Sequence, residues 1–282
     1  MKAFIPGRKY ATVSITGSMC LLKCRFCEGK YLKGMYHVSS PKELYSLADK
    51  LWRRGFKGML ISGGFNKQGQ LPLRRYLPVI KKIKEDFDFV ISVHSGLPGK
   101  ETIIEMEKAG VDVVDYQLVV DDFVIKEVMR LRNRSSSDFL AALKELYDKG
   151  LKVAVHIPVG LNYGVIKSEY TALDSLLELF NPHVLIFLVL IPTRGTSMEY
   201  VKPPNIEGII DLIGHARKVY SGEIALGCMR PASYKRILDK ILIEKQVIDR
   251  IALPPIQYIK RYRMEVVNAC CSIPEELITR FK

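Results

Sequence analysis

Apolar, β-branched runs alternate with amphipathic stretches along nearly the whole chain. Runs at 10–16, 58–62, 89–94, 111–119, 152–159, 184–190, 223–228 and 250–253 read as strands. The stretches 41–54, 73–84, 101–109, 135–149, 168–180, 206–220 and 234–246 repeat apolar positions every three or four residues and read as helices. Strands apolar on both faces mark a parallel sheet covered by helices. The alternation predicts an α/β fold, a (β/α)8 barrel of the TIM type. A doubly wound open sheet is the runner-up, but no Gly-rich dinucleotide fingerprint follows the first strand. Ser40-Pro41 reads as a helix start, and Gly55, Gly110 and Gly150 sit where helices end. The expected division is a barrel over residues 1–254 and a helical tail over 255–282 that folds back over the barrel mouth.

The 282 residues are 48% hydrophobic and 26% charged, ordinary values for one large globular unit. No apolar run reaches the eighteen or so residues of a membrane span. The longest, 184–191, stops at Pro192. The opening MKAFIPGRKY has no apolar core or cleavage site, so no secretory signal is expected. Net charge is +13, with a pI near 9.4. The Lys and Arg are spread along helices without interleaved aromatics, which argues against nucleic acid and leaves room for an acidic protein partner. Five histidines without H-E-x-x-H or Ser/His/Asp patterning give hydrolysis no support.

Chemistry concentrates in the six cysteines, too few and too clustered for a disulfide scaffold. A reducing cytoplasm and metal binding fit them better. Cys20, Cys24 and Cys27 form a C-x3-C-x2-C run with Phe26 before its last member. Three such thiolates can hold three irons of a cubane cluster, leaving the fourth iron open. A zinc site would call for a second pair or a nearby histidine, and His37 is ten residues on. The run directly follows the first strand, which puts it at the C-terminal rim, where barrels carry their chemistry.

This run resembles the signature of the radical S-adenosylmethionine (SAM) superfamily. The resemblance implies a [4Fe–4S] cluster on Cys20, Cys24 and Cys27, with SAM chelating the open iron, and an electron donor such as ferredoxin. It also implies SAM contacts around the rim. Gly63, Gly64 and Phe65 stand where relatives carry a G-G-E-like motif that contacts the SAM amino group, with Phe65 replacing the acid. Gln117 and Asp121 are candidates for the ribose or the amino acid moiety, Asp121 being equally a helix cap. Arg134 resembles the arginine that grips the SAM carboxylate in biotin synthase, which suits a guanidinium. The segment 156–162 resembles an adenine-packing stretch without its first glycine and its acid, and the strip Leu190–Ile191 stands where backbone reads the adenine edge. His94 and His156 fall near strand ends as acid/base or polar candidates.

The remaining cysteines are Cys228, in Gly-Cys-Met-Arg-Pro after the seventh strand, and the adjacent pair Cys270–Cys271. Together they are candidates for an auxiliary [4Fe–4S] cluster, with Ser272, Ser233, Arg230 or an exogenous group as fourth ligand. Neighbouring residues point apart in extended chain, so both can serve one cluster only if the turn 269–272 is bent. The pairing of G-C-M-R-P with A-C-C-S-I-P is most similar to one subunit of the archaeal two-protein lipoyl synthases, relatives of biotin and lipoyl synthase. That resemblance implies sulfur insertion into a carrier-bound octanoyl chain. It also implies a second radical SAM subunit and an acidic lipoyl carrier as partners. Another radical SAM reaction on a small molecule, with an electron-transfer auxiliary cluster, is the alternative.

Overall fold

A computed structural model describes residues 1–282. Eleven strands form one parallel sheet: β1 (Lys2–Phe4), β2 (Tyr10–Ser14), β3 (Tyr36–His37), β4 (Gly58–Ser62), β5 (Val90–Val93), β6 (Val113–Gln117), β7 (Val153–Val159), β8 (Val184–Val189), β9 (Glu223–Leu226), β10 (Arg250–Ala252) and β11 (Glu265–Val267). Their spatial order is β11-β1-β10-β9-β8-β7-β6-β5-β4-β2-β3. The eight strands expected from the sequence are all present, and every expected helix has a counterpart. These are α1 (Pro41–Arg53), α2 (Leu77–Phe87), α3 (Lys100–Lys108), α4 (Ser136–Asp148), α5 (Ser168–Leu179), α6 (Ile206–Val219) and α7 (Lys235–Glu244). A short α8 (Ile256–Arg261) follows. Ser40 caps α1 by accepting from the Glu43 N–H at 3.2 Å, with Pro41 at the first helical position.

The alternation along each strand sorts side chains between two cores. Ala11, Val13, Ile91, Val114, Tyr116 and Val155 face the helices. Tyr10, Val90, Val113, Ala154, Ile186 and Ala252 face inward and line a lumen. The sheet is therefore curled around an interior, as a barrel is.

Two expectations need correction. The barrel does not close: β11 and β3 are free edges with no ladder joining them. The short β1 and β11 extend the sheet beyond β10, and these extra strands stand between β10 and β2. Nor does the tail cover the mouth. After β11 the chain turns into the lumen, where Ala269, Cys271, Ile273, Ile278 and Phe281 join the inner core. Its polar anchors all lie at the opposite end, where strands begin. His183 Nε2 meets the Ser272 carbonyl at 2.8 Å, and Arg250 donates to the carbonyls of Cys271 and Ile273 at 3.0 and 2.5 Å. Lys2, Lys152 and Asp88 pair with Glu275, Glu276 and Arg280. A lumen left open by an unclosed sheet would expose its apolar layer to water, and the tail fills it.

Candidate functional site

The cysteine loop leaves β2 and is held by backbone contacts on three sides. The Leu21 and Leu22 N–H groups donate to the Phe65 carbonyl at 3.0 and 3.2 Å. Thr16 Oγ1 accepts from the Gly64 N–H at 2.7 Å and donates to the Met19 carbonyl at 2.9 Å. A β-carbon on Gly64 would lie 1.9 Å from the Met19 oxygen and 2.4 Å from the Cys20 α-carbon. Only glycine permits that approach. The pair Gly63-Gly64 is thus a shelf under Cys20 and more than a tight turn.

On the second side, Arg25 donates from its backbone N–H to Val128 and from Nε to Glu127, both at 2.8 Å. These carbonyls belong to a π-helical turn, Val124–Val128, a local widening often found at functional sites. Cys24 Sγ reaches the Met129 carbonyl there at 3.4 Å. On the third side, the loop is latched across the mouth. Glu28 Oε1 accepts from the Ser197 N–H and hydroxyl at 2.9 and 2.6 Å. Lys30 Nζ donates to the Arg194 carbonyl at 2.9 Å, and the Tyr31 and Thr193 hydroxyls meet at 2.8 Å.

Within the loop Cys24 is buried, while Cys20 and Cys27 are half-buried. Cys24 and Cys27 share a thiol hydrogen bond that raises the Cys24 pKa and lowers that of Cys27. Burial and the nearby Cys20 push Cys24 up further. A proton shared among crowded thiols is what an iron would displace. The donor set, its thiols drawn to one loop and the glycine shelf beneath them fit a cubane cluster.

Of the second cysteine set, Cys270 and Cys271 are adjacent on one turn, and Cys228 lies on the loop after β9. The turn 269–272 is bent, with the Ile273 N–H reaching back to the Cys270 carbonyl at 3.3 Å. Cys270 and Cys271 share a hydrogen bond that lowers the Cys270 pKa and raises that of Cys271. Cys228 retains solvent access, yet the protein packed around it and the charge of Cys270 push its thiol up to about 11. Arg230 is removed from the ligand candidates. Its guanidinium is fully buried and engaged by Asp239, Gly227 and Ala252.

The other expected contacts fare unequally. Gln117 ends β6 with its Nε2 buried and unpartnered. Asp121 acts as a cap: Oδ1 accepts from the Phe123 and Val124 N–H groups, and Oδ2 from Asn162. Arg134 pairs one nitrogen with Asp138 at 3.1 Å, beside the Ser135 capping box of α4. Leu190 donates its N–H to Val159, and the Ile191 carbonyl accepts from Thr193 Oγ1 at 3.0 Å. Phe26 packs on the outer core, and the Phe65 ring stands edge-on to His94 at 5.3 Å.

Two groups escaped the sequence reading. Glu169, nearly buried, accepts from the Gly160 and Lys167 N–H groups at 2.7 and 2.8 Å and so holds the loop after β7. Asp115 points into the lumen with His156 Nε2 3.8 Å away. Polar residues alternating at Asp115 and Gln117 within an apolar strand were the signal available.

These features describe an α/β partial barrel whose C-terminal rim presents three cysteines over a glycine shelf. The chain belongs to the radical SAM superfamily, whose family model matches residues 14–167, more than half of it. Membership implies an enzyme that uses a [4Fe–4S] cluster and SAM. Among solved structures, the chain is similar to methylornithine synthase (PylB) at 16% identity and a TM-score of 0.63, over 88% of this chain and 72% of that one. It is similar to the FeFe-hydrogenase maturase HydG from Carboxydothermus hydrogenoformans at 14% identity and a TM-score of 0.66, over 99% and 70%. Streptococcus suis SuiB bound to S-adenosylmethionine gives 12% identity and a TM-score of 0.58, over 93% and 53%. The chain thus spans from about half to under three quarters of these proteins' length. Identities this low establish the shared fold alone. No curated protein sequence matches the chain. No helix is long and apolar enough to cross a membrane.

Proposed function

We propose that this enzyme removes hydrogen from an unactivated carbon of a small substrate held in the barrel mouth, with a second iron–sulfur cluster on Cys228, Cys270 and Cys271. The observation that supports this is the division of the six cysteines: three on the rim loop after β2, and three split between the rim after β9 and the lumen. When bound at Cys20, Cys24 and Cys27, a cluster with SAM supplies reductive cleavage to methionine and a 5′-deoxyadenosyl radical. The chain's own residues position the reactants. The Gly63-Gly64 shelf offers backbone to the SAM amino group. Arg134 keeps guanidinium donors beyond the one engaged by Asp138 for a carboxylate. The Gln117 amide supplies a free donor nearby.

The lumen beneath the mouth carries His94, Asp115, His156 and Gln117, a polar floor that suits a small polar molecule better than a hydrocarbon chain. That floor favours the broader reading, in which the second cluster transfers electrons. The narrower reading is sulfur insertion into a carrier-bound octanoyl group, as one subunit of a two-protein lipoyl synthase. The bent Cys270–Cys271 turn and the basic surface support it, since an acidic carrier would dock there.

Anaerobic protein with reductant and SAM is expected to release 5′-deoxyadenosine and to hold about eight irons per chain. A Cys228→Ala/Cys270→Ala/Cys271→Ala variant should hold about four. An unchanged iron count in that variant rules out the second cluster. Isotopically labelled sulfide in the reconstitution separates the two readings: label recovered on an octanoylated carrier supports sulfur insertion, and its absence despite SAM cleavage supports electron transfer.

A further inference from the structure

The loops after β2, β6, β7 and β8 lock into a ring around the mouth. Arg25 donates to the carbonyls of Glu127 and Val128, Lys30 donates to the Arg194 carbonyl, and Glu28 accepts from Ser197. Asn162 Nδ2 donates to Asp121 Oδ2 at 3.2 Å, and the Phe123 and Tyr163 rings stand 6.3 Å apart. A β-carbon on Gly164 would lie 2.1 Å from the Lys202 carbonyl oxygen, so that turn rests directly on the loop after β8.

One arc of this ring holds apolar side chains out in water. Phe123, Tyr163, Val165 and Tyr200 are 50%, 41%, 54% and 92% exposed. Tyr163 stands on left-handed backbone, φ +49°, which residues other than glycine seldom adopt. Its turn is fixed on both sides. The Gly164 and Val165 N–H groups donate to the Gly160 and Asn162 carbonyls, both at 2.8 Å, and Glu169 accepts from the Gly160 and Lys167 N–H groups. Core packing gains nothing from a ring held in water on strained backbone. Binding gains a rigid anchor whose ordering cost is already met, and tyrosine is a favoured anchor at protein interfaces.

Charge selects the partner. The ion pairs of these loops, Lys126–Asp122 and Arg134–Asp138, leave Arg130, Arg132, Lys167, Arg194 and Lys202 exposed and unpaired. Among the acids there, only Glu127 lacks a partner, because Glu28, Asp121, Asp122 and Glu199 each accept from a backbone N–H. A second copy of this chain, at net charge +13, would be repelled. Nucleic acid fits poorly: Phe123 and Tyr163 tilt 50° to each other, which leaves no parallel faces for a base to stack between. We propose that the arc of Phe123, Tyr163, Val165 and Tyr200, with the cations beside it, docks an acidic carrier domain that hands its covalently bound substrate to the mouth. This rests on the carrier-bound substrate of the narrower reading above and is independent of what the second cluster does.

The probe is a fluorescein-labelled, octanoylated lipoyl carrier domain, titrated with the full chain and read by anisotropy. Binding is expected, and it should weaken as salt rises. Lys167→Glu/Lys202→Glu and Tyr163→Asn/Tyr200→Ser should each weaken it about tenfold or more, asparagine being tolerated on left-handed backbone. Lys108→Glu/Lys149→Glu makes the same charge change at the opposite end of the barrel and should alter binding less than about twofold. Release of 5′-deoxyadenosine without carrier should be equal in all variants, which reads the fold; Phe123→Gln replaces any rim variant that loses it. An unaltered chain that releases none sinks the enzymatic reading and leaves the docking result standing. No binding of the carrier, binding that the rim variants leave unchanged, or tighter binding of a labelled oligouridine each overturns the docking proposal.

Discussion

Arg230 and Asp239 form a doubly hydrogen-bonded ion pair, both N···O distances 2.7 Å, with neither side chain exposed. Arg230 also donates to the Gly227 and Ala252 carbonyls at 2.7 and 2.9 Å, tying the loop of Cys228 to α7 and β10. Arg230→Met strands the Asp239 carboxylate in the core and should cost about 3–5 kcal/mol in urea unfolding. The double change Arg230→Met/Asp239→Leu should recover most of that loss, because no lone charge remains. If the double variant is as unstable as the single, the pair's role is something other than mutual neutralisation.

Gly64→Ala places its methyl against the Met19 oxygen and the Cys20 backbone, and backbone atoms cannot swing aside. The cysteine loop must lift from its shelf. The expected outcome is loss of the first cluster's irons, about four per chain, with far-ultraviolet circular dichroism unchanged. Gly34→Ala, with nothing within 4 Å of the added carbon, is the control and should load normally. Full iron loading and SAM cleavage by the Gly64 variant would reduce that glycine to an ordinary turn residue.

The main strands and helices were legible because each is long enough to show its period, and the glycines at 55, 110 and 150 marked helix ends as expected. β1, β3 and β11 have three, two and three residues, too few for any pattern to stand out. Missing them hid the unclosed seam. The tail's cysteines point to chemistry at the mouth, whereas its apolar Ile273, Ile278 and Phe281 are drawn into the lumen. Cys20, Cys24 and Cys27 were legible as a local motif. Asp115 was not: a lone carboxylate in a strand shows its lack of partners only when its neighbours across the lumen are in place.

Burial holds His94 and His156 down at about 4, His94 also feeling His156, and His156 feeling His183. An unfolded histidine titrates near 6.5, so between about 6.5 and 4 the unfolded chain binds more protons. Stability therefore rises with pH through that window; the contribution is complete above it and lost as pH falls through it. Each imidazole accounts for up to about 3 kcal/mol. Asp115, raised by burial, works in the opposite sense, since its folded form is the one that retains the proton. Chemical unfolding of iron-free protein at pH 7 and pH 5 should show a smaller loss for His94→Gln/His156→Gln than for the unaltered chain. Equal losses would mean that these imidazoles are not held neutral.

The C-terminus acts as the barrel's missing seam. Phe281 is fully buried, packed edge-on against Tyr10 of β2 at 5.7 Å, and its carbonyl accepts from the Asn268 backbone and side chain just past β11. Lys282 continues the link, its carbonyl accepting from Lys9 and its ammonium lying 2.6 Å from Glu265. No backbone ladder joins β2 to β11, so these contacts span the gap. Phe281→Ala removes the aromatic contact and leaves a cavity in the inner core, at an expected cost of about 3–5 kcal/mol. The loss should be local before it is global: amide exchange in Tyr10–Ser14 and Glu265–Val267 should speed up most, because those strands pack against the tail. Phe281→Leu, which keeps much of the volume, should restore part of both. If stability falls while exchange in the two strands keeps pace with the rest of the sheet, Phe281 is only a core residue and the seam is held by something else.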